Sequence, residues 1–116
     1  MRSRYPEVSV HYVQSDFGHP LELPPLDGIV MANSVHFTRD KDPLVRLIRS
    51  YLSPAGRLIL VEYNVDQGNP WVPYPISYPR WEKLAREAGF GETRLLSAHP
   101  SWFLGEIYSA LSCQQP

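Results

Sequence analysis

Two short runs of apolar residues limit what this chain can fold into more than any other feature. Residues 27–33 and 57–63 are each mainly aliphatic, and polar residues stand at their ends. A strand that is covered on both faces, as in a parallel sheet between layers of helices, has this pattern. The two runs therefore predict buried strands, and they favour an α/β fold.

The segment between the two runs is predicted to be an amphipathic helix. Asp42 is a favourable N-cap residue and Pro43 a favourable first residue of the helix. Pro54 and Gly56 end it, because both residue types are typical of the segment just after a helix. The apolar residues between these limits recur at spacings of three and four and therefore share one face: Leu44, Leu47, Ile48, Tyr51 and Leu52.

The rest of the chain continues the alternation of strands and helices. A second helix is predicted to open at residue 77 or 78 and to end at Gly89. Further strands are predicted at residues 8–13, 92–98 and 102–112. The last two follow each other closely and would form an antiparallel hairpin. The pattern predicts one partial domain over residues 1–116, with a mostly parallel sheet that closes in this hairpin.

Four segments resemble, in order, motifs of the class I S-adenosylmethionine-dependent methyltransferases. They are VQSDF at 13–17, DGIVMANSVHF at 27–37, LSPAGRLILVE at 52–62 and WEKLAREAGF at 81–90. Together they resemble the C-terminal half of that family, which implies a truncated Rossmann-like sheet. S-adenosylmethionine is then the implied cofactor if the chain is active, and a small molecule is the implied methyl acceptor.

Two departures from the family pattern bear on activity. Ala55 stands where the family has the first of two paired glycines. In addition, the chain has no counterpart of the family's first two strands, which carry the glycine-rich cofactor loop. A backbone can approach a cofactor closely only where no side chain intervenes, so cofactor binding by this chain alone is open.

The resemblance assigns cofactor contacts to residues that follow two strands. Asp16 would accept a hydrogen bond from the adenine amino group and Phe17 would pack on the ring. Asn33 and Ser34 would lie beside the cofactor, outside the carboxyl end of a buried strand. The alternative is that Asp16 is an ordinary loop residue and Phe17 a core residue.

Candidate catalytic and substrate-binding residues lie at the same predicted edge of the sheet. His36 is a candidate general base because its ordinary pKa lies near neutrality, and the alternative is a loop histidine bonded to the backbone. Glu62 and Tyr63 are candidate substrate contacts, as are Trp71 and Tyr74 in the long loop that follows. The alternative for the aromatic residues is that they hold this loop against the core. A core or interface position is also predicted for two aromatic residues near the C-terminus, Trp102 and Phe103.

Charge and cysteine content exclude several function classes. The formal net charge is −1 and the basic residues are scattered, so no nucleic-acid or membrane partner is predicted. Cys113 is the one cysteine, which excludes an intrachain disulfide and favours the cytoplasm. The histidines lack metal-ligand spacing, and no metal is predicted.

The sequence supports two alternative functions. The first is a methyltransferase-like domain that acts on a small molecule. The second is a noncatalytic remnant that acts as a dimeric interaction module. A sheet without its first two strands exposes an edge, and exposed edges pair with other chains. A homodimer is therefore the predicted partner state.

Overall fold

The computed structural model describes residues 24–114. The described elements are, in chain order, β1 (Leu26–Ala32), a 3₁₀ turn (Val35–Phe37), α1 (Lys41–Ser50), β2 (Leu52–Tyr63), α2 (Tyr78–Glu87), β3 (Phe90–Pro100) and β4 (Glu106–Gln114). The predicted strand at 8–13 lies outside the described residues. No helix within the described residues is long and apolar enough to cross a membrane.

The four described strands form one sheet in the order β1-β2-β4-β3. The β1–β2 pair is parallel, whereas β2–β4 and β4–β3 are antiparallel. The prediction of a mostly parallel sheet is therefore wrong for this part of the chain, whereas the closing hairpin is confirmed. The physical reason is the length of the connections. A parallel pair needs a crossover such as α1, and the short loop between β3 and β4 permits only antiparallel pairing.

The β1–α1–β2 unit differs from its predicted form mainly at its boundaries. The N-cap residue of α1 is Asp40 rather than Asp42. β2 begins at Leu52, so the predicted helix terminators Pro54 and Gly56 lie within the strand. A Cβ atom on Gly56 would lie 2.8 Å from the Cβ of Leu52, a distance that no side chain tolerates. The backbone here therefore requires glycine at 56, whereas Ala55 is exposed and fits.

Gly89 ends α2 in the way that the sequence predicts. The residue has φ of 106°, in the left-handed region that non-glycine residues rarely adopt. Its N–H donates to the Arg86 carbonyl at 3.1 Å, which satisfies an acceptor of the last turn. The chain then enters β3 at Phe90, which is buried against the sheet.

The hydrophobic core lies between the sheet and the two helices. Trp81 of α2 and Tyr108 of β4 are among its largest fully buried side chains.

Trp102 and Phe103, which were predicted in the core or in an interface, lie instead in the loop between β3 and β4. Trp102 is 100% exposed and Phe103 45% exposed, so the core assignment is wrong. The loop is closed by a hydrogen bond from the Ser101 N–H to the Gly105 carbonyl at 2.8 Å.

Candidate functional site

The carboxyl ends of β1 and β2 bring His36 and Glu62 together. The two strands are parallel with Ala32 opposite Val61, so both end at the same edge of the sheet. The 3₁₀ turn after β1 carries His36, and Glu62 is the penultimate residue of β2. His36 Nδ1 lies 2.9 Å from Oε2 and 3.0 Å from Oε1 of Glu62. Both residues are buried, with 3% and 0% of their surfaces exposed.

The hydrogen bonds around Glu62 indicate which atoms of the His36–Glu62 pair donate and which accept. The backbone N–H of Tyr63 donates to Oε2 of Glu62 at 2.8 Å, so the carboxylate acts there as an acceptor. An ionised carboxylate can only accept, so Nδ1 of His36 is assigned as the donor of the shared hydrogen, and in the neutral ring of that tautomer Nε2 carries the lone pair. Among residues 24–114, no hydrogen-bond partner of Nε2 is found. The arrangement can accept a proton at Nε2 while the carboxylate orients the ring and stabilises the imidazolium.

The backbone around His36 is held from two sides. Asn33, directly after β1, donates its N–H to the Val61 carbonyl at 3.0 Å and has φ of 54°. This left-handed residue turns the chain out of the sheet and into the 3₁₀ turn. On the other side, the N–H of Tyr74 donates to the His36 carbonyl at 2.9 Å. Main-chain contacts thus position His36 independently of its side chain.

The loop between β2 and α2 is held in place by three polar side chains. Asn69 Oδ1 accepts from the N–H groups of Trp71 and Val72, at 2.9 and 2.8 Å. Asp66 accepts from the N–H and the hydroxyl of residue 77, both at 3.0 Å. Asn64 Oδ1 accepts from the N–H of residue 78 at 2.7 Å, at the start of α2. Because these side chains replace missing backbone partners, the loop keeps a defined course past the histidine.

The aromatic residues predicted to bind substrate occupy different environments. The ring centroid of Tyr63 lies 6.1 Å from that of His36 and 6.0 Å from that of Phe103. Tyr74 contacts His36 through its backbone, and 41% of its surface is exposed. Trp71 is 71% exposed, and no contact with the His36–Glu62 pair is found for it within the described residues.

Two residues of the site were not singled out in the sequence analysis. The ring of Phe37 packs on His36, with centroids 4.4 Å apart, yet 63% of Phe37 is exposed. Lys41, in the first turn of α1, is 8% exposed and donates from Nζ to the Thr38 carbonyl. Its Nζ lies 5.9 Å from the centroid of the Tyr74 ring. A lysine at a helix start is ordinarily solvated, so no sequence signal marks this one.

The electrostatic environment of Lys41 links it to the buried pair. Burial lowers the pKa of Lys41, the Glu62 carboxylate raises it, and the Arg80 guanidinium lowers it. Lys41 also lines a cleft of about 420 Å³ between the start of α1, the loop before α2, and α2 itself. Tyr74 and Arg80 lie on the same cleft. The cleft is thus lined by a cationic group that is itself nearly buried.

The proposed cofactor residues are only partly within the described chain. Asp16 and Phe17 lie outside it. Asn33 is exposed and Ser34 is half-buried, both just past the carboxyl end of β1. No group of histidine, cysteine or acidic residues that could hold a metal ion occurs within residues 24–114.

The proteins similar in sequence are polyketide synthases, and the similar structures include methyltransferases. No protein-family model matches the chain. It is 28% identical over 107 residues to the highly reducing polyketide synthase aurA of Calcarisporium arbuscula, a match covering 75% of this chain and 4% of that protein. It is 27% identical over 95 residues to the reducing polyketide synthase grgA of a Penicillium species, covering 66% of this chain and 4% of that protein. The chain thus spans about 4% of the length of these relatives.

Solved structures share the architecture at low sequence identity. The citrinin polyketide synthase CMeT domain superposes with a TM-score of 0.69 at 19% identity, covering 88% of this chain and 32% of that one. The CurJ carbon methyltransferase gives 0.63 at 21% identity, with 78% and 30% covered. A possible histamine N-methyltransferase of Thermotoga maritima gives 0.68 at 14% identity, with 85% and 61% covered. The chain therefore has the fold of the S-adenosylmethionine-dependent methyltransferases, as the resemblance in its sequence implies.

Proposed function

We propose that this chain is part of a methyltransferase that transfers a methyl group to a carbon acid, with His36 as the general base. The observation that carries the proposal is the buried His36–Glu62 pair, in which Nδ1 contacts the carboxylate and Nε2 has no hydrogen-bond partner among residues 24–114. A carbon nucleophile must lose a proton before it can attack a methyl group. Nε2 of His36 is the group that can accept that proton.

The surroundings of the pair suit proton abstraction. Glu62 is fully buried and bound by two N–H groups, so its charge is fixed relative to the imidazole. A carboxylate in this position favours the imidazolium that forms when His36 takes up a proton. The rings of Phe37 and Tyr63 flank the histidine, which is 3% exposed, and this low exposure to water strengthens the electrostatic interactions.

A carbon acceptor is favoured over a nitrogen acceptor by the relatives. Those matched by sequence are polyketide synthases, and two of the similar structures are a CMeT domain and a carbon methyltransferase. Polyketide chains contain carbon atoms between two carbonyl groups, where the C–H bond is acidic enough for an imidazole base. The proposed substrate class is therefore a small β-keto thioester or a related carbon acid.

Fewer residues support the part of the proposal that concerns cofactor binding. S-adenosylmethionine, when bound, would supply the methyl group. Asn33 and Ser34 would line one side of its site from the end of β1. The roles proposed for Asp16 and Phe17, at the adenine, follow from the family resemblance alone. Tyr63, Tyr74 and Trp71 are proposed as substrate contacts.

Deuterium exchange tests the base without requiring methyl transfer. The purified chain is incubated in D₂O with the N-acetylcysteamine thioester of acetoacetate, and exchange at C2 is followed by NMR. We expect exchange above the uncatalysed rate, a loss of this excess in His36→Ala, and a reduction in Glu62→Gln. His99→Ala, at an exposed histidine on β3, is the control. Exchange that is unaffected by His36→Ala would contradict the proposal.

Methyl transfer itself is tested by adding S-adenosylmethionine to the same mixture and detecting C-methylated thioester by mass spectrometry. Histamine replaces the thioester in a parallel reaction, because one similar structure is a possible histamine N-methyltransferase. Methylation of the amine and not of the thioester would replace the carbon-acid assignment with a nitrogen acceptor.

A noncatalytic dimer is the second candidate function, and one observation favours it. Within the described residues, β1 pairs only with β2, so its other edge has no strand beside it. Val30 on this strand is 66% exposed. An open apolar strand edge is a template for pairing with a second copy. Light scattering at micromolar concentration tests this: a dimer that Val30→Lys converts to a monomer supports it, and a native monomer contradicts it.

A further inference from the structure

We propose that Tyr63 and Phe103 form an apolar surface that binds the acyl chain of the thioester substrate beyond its reacting carbon. The two rings select long apolar chains over short ones. This inference rests on the proposed function, which places the reacting carbon at His36. Binding of an acyl chain to the surface is measurable without any reaction. Three features support the inference: the continuity of the rings, the exposure of the loop that carries Phe103, and the absence of charge in that loop.

A series of aromatic rings leads from His36 to the loop between β3 and β4. The ring centroid of Tyr63 lies 6.1 Å from that of His36, and the ring centroid of Phe103 lies 6.0 Å from that of Tyr63. Both distances are within the range in which aromatic rings interact. His36 is 3% exposed, Tyr63 is half-buried and Phe103 is 45% exposed, so exposure increases along the series. A chain attached to a carbon at His36 can therefore follow these rings outwards.

The loop between β3 and β4 exposes more apolar surface than the packing of the fold requires. Trp102 is 100% exposed, so its side chain contributes nothing to the core. Phe103 lies beside Tyr63 and still leaves nearly half of its surface exposed. Neighbouring exposed aromatic side chains are typical of surfaces that bind an apolar partner. The loop thus has the character of a binding surface that is continuous with the His36 site.

Polar contacts hold this loop in place, so its aromatic side chains are positioned before a ligand binds. Within the loop, Oγ of Ser101 accepts from the N–H of Phe103 at 3.2 Å. At the base of the loop, Asn64 donates from Nδ2 to Oε1 of Glu106 at 2.8 Å. This second bond joins the start of β4 to the end of β2, which carries Tyr63. A preorganised surface loses less conformational entropy on binding than a flexible one.

The chemistry of the loop indicates which occupant fits it. Residues 101–105 have the sequence SWFLG and include no ionisable side chain. The carboxylate of Glu106, which follows them, is already bound by Asn64. A charged ligand would lose its hydration there without gaining an ionic partner, which is unfavourable. An aliphatic chain needs only apolar contact, so the acyl chain of a thioester is the occupant that fits.

The first measurement is titration calorimetry with two thioesters that have no acidic carbon between carbonyl groups. They are the octanoyl and the acetyl thioesters of N-acetylcysteamine, which differ only in the length of the acyl chain. We expect the octanoyl thioester to bind about tenfold more tightly or better, because each methylene group removed from water adds affinity. An octanoyl thioester that binds no more tightly than the acetyl thioester would overturn the inference.

Variants of Phe103 locate the binding surface. Phe103→Ala should weaken octanoyl binding about fivefold or more and leave acetyl binding unchanged, whereas Phe103→Leu should keep most of the affinity. The control is Leu96→Ala, at an apolar residue of the same hairpin that is 48% exposed. Equal effects of Phe103→Ala and Leu96→Ala would refute the assignment. If Phe103→Ala does not fold, as judged by circular dichroism, Phe103→Ser takes its place.

The second measurement separates binding of the chain from action at the reacting carbon. Deuterium exchange is followed with the acetoacetyl and the 3-oxooctanoyl thioesters in the native chain and in Phe103→Ala. The contact with the chain is the same before and during proton transfer, so we expect a KM about fivefold higher for the 3-oxooctanoyl thioester and an unchanged kcat. A lower kcat with both thioesters would contradict a role that is confined to the chain.

The two proposals fail in distinguishable ways. A chain that shows His36-dependent exchange without any preference for long acyl groups retains the base and loses the apolar surface. A chain that binds the octanoyl thioester through Phe103 but shows no His36-dependent exchange retains the apolar surface and loses the base.

Discussion

The hydroxyl group of Tyr108 donates a hydrogen bond to the backbone carbonyl of Ile76, at 2.8 Å, and so ties β4 to the loop that leads into α2. Tyr108 is 1% exposed and Ile76 is 8% exposed, so water does not compete for this bond. The bond also supports the segment whose Tyr74 N–H binds His36. A core residue therefore helps to position the site.

Replacing Tyr108 with Phe should lower the stability of the protein while leaving its packing intact. The change leaves the buried carbonyl of Ile76 without this donor, which costs about 1–3 kcal/mol. Urea unfolding measures the difference. Tyr74→Phe, at a partly exposed tyrosine, is the control and should change the free energy of unfolding by less than about 0.5 kcal/mol. Similar losses in the two variants would show that the bond to Ile76 contributes little.

The stability of the protein should fall as the pH rises above 10. Burial raises the pKa of the Tyr108 hydroxyl above its ordinary value, and the charges of Glu62 and Asp66 add to the shift. Below pH 10 the hydroxyl is protonated in both the folded and the unfolded chain. Above it, the unfolded chain releases the proton first, so unfolding becomes more favourable, with a slope approaching about 1.4 kcal/mol per pH unit. Tyr108→Phe should remove most of this slope, and an unchanged slope would show that groups other than Tyr108 cause it.

The raised pKa of Tyr78 should also lower the stability of the folded protein as the pH rises above 10. Its pKa is raised by burial and by its hydrogen bond to the Glu82 carboxylate. Because Tyr78 is only half-buried, solvent screens its contribution to the pH dependence, which should be smaller than that of Tyr108. Any slope that remains in Tyr108→Phe should disappear when Tyr78→Phe is added. Thermal or urea unfolding between pH 8 and about 11 supplies the comparison.

Glu62→Leu should destabilise the protein more than Glu62→Gln. The amide oxygen of Gln can still accept from His36 Nδ1, whereas Leu leaves both that group and the Tyr63 N–H without an acceptor. An unpaired buried donor costs about 1–3 kcal/mol, and the difference between the two variants should lie in that range. Glu92→Gln and Glu92→Leu, on the exposed part of β3, form the matched pair. Equal effects of the two Glu62 variants would mean that the carboxylate is not required to satisfy these groups.

Gly89→Ala should lower the free energy of unfolding by about 1–2 kcal/mol, the usual strain of a side chain in the left-handed region. The added Cβ would also lie 2.9 Å from Cζ of Arg49, which must move. Gly91→Ala, two residues along on an exposed part of β3, is the control. A loss no greater than that of the control would argue that α2 ends in another way in solution.

Trp102→Ser should leave the free energy of unfolding within about 0.5 kcal/mol of the native value, because the residue is 100% exposed. Phe90→Ala is the contrasting variant, since Phe90 is 3% exposed and its truncation should cost about 3–5 kcal/mol. The two results together test whether the hairpin tip lies outside the core. A large loss in Trp102→Ser would restore the core position that the sequence suggests.

The local elements of the fold follow closely from local patterns. The aliphatic runs predict β1 and the second half of β2, and the spacing of apolar residues predicts α1. The strand and helix types are confirmed, but the burial on both faces that was predicted for the first run is wrong: β1 is largely exposed, and Met31 is its one buried residue. The helix prediction succeeds because burial against one layer imposes a period on a short stretch of chain. The strand ends were less well predicted: Pro54 and Gly56 are helix terminators by type, yet they lie within β2.

The candidate site was only partly visible in the sequence. His36 and Glu62 were each singled out from their places after predicted strands, and parallel pairing is what joins them. Lys41 could not be found in this way, because nothing in a helix-start lysine shows whether its ammonium group meets water or a backbone carbonyl within the fold. Trp102 illustrates the opposite case, since its apolar character predicts burial and its place at a hairpin tip exposes it.

By itself, the sequence determined the types of element, their order along the chain and the candidate residues at their ends. Those features depend on interactions among residues that are close in the chain. The tertiary structure decided the direction of each strand pair, the hydrogen bond between His36 and Glu62, and the burial of Lys41. These depend on which distant segments meet and on how far they exclude water, and no local pattern encodes that.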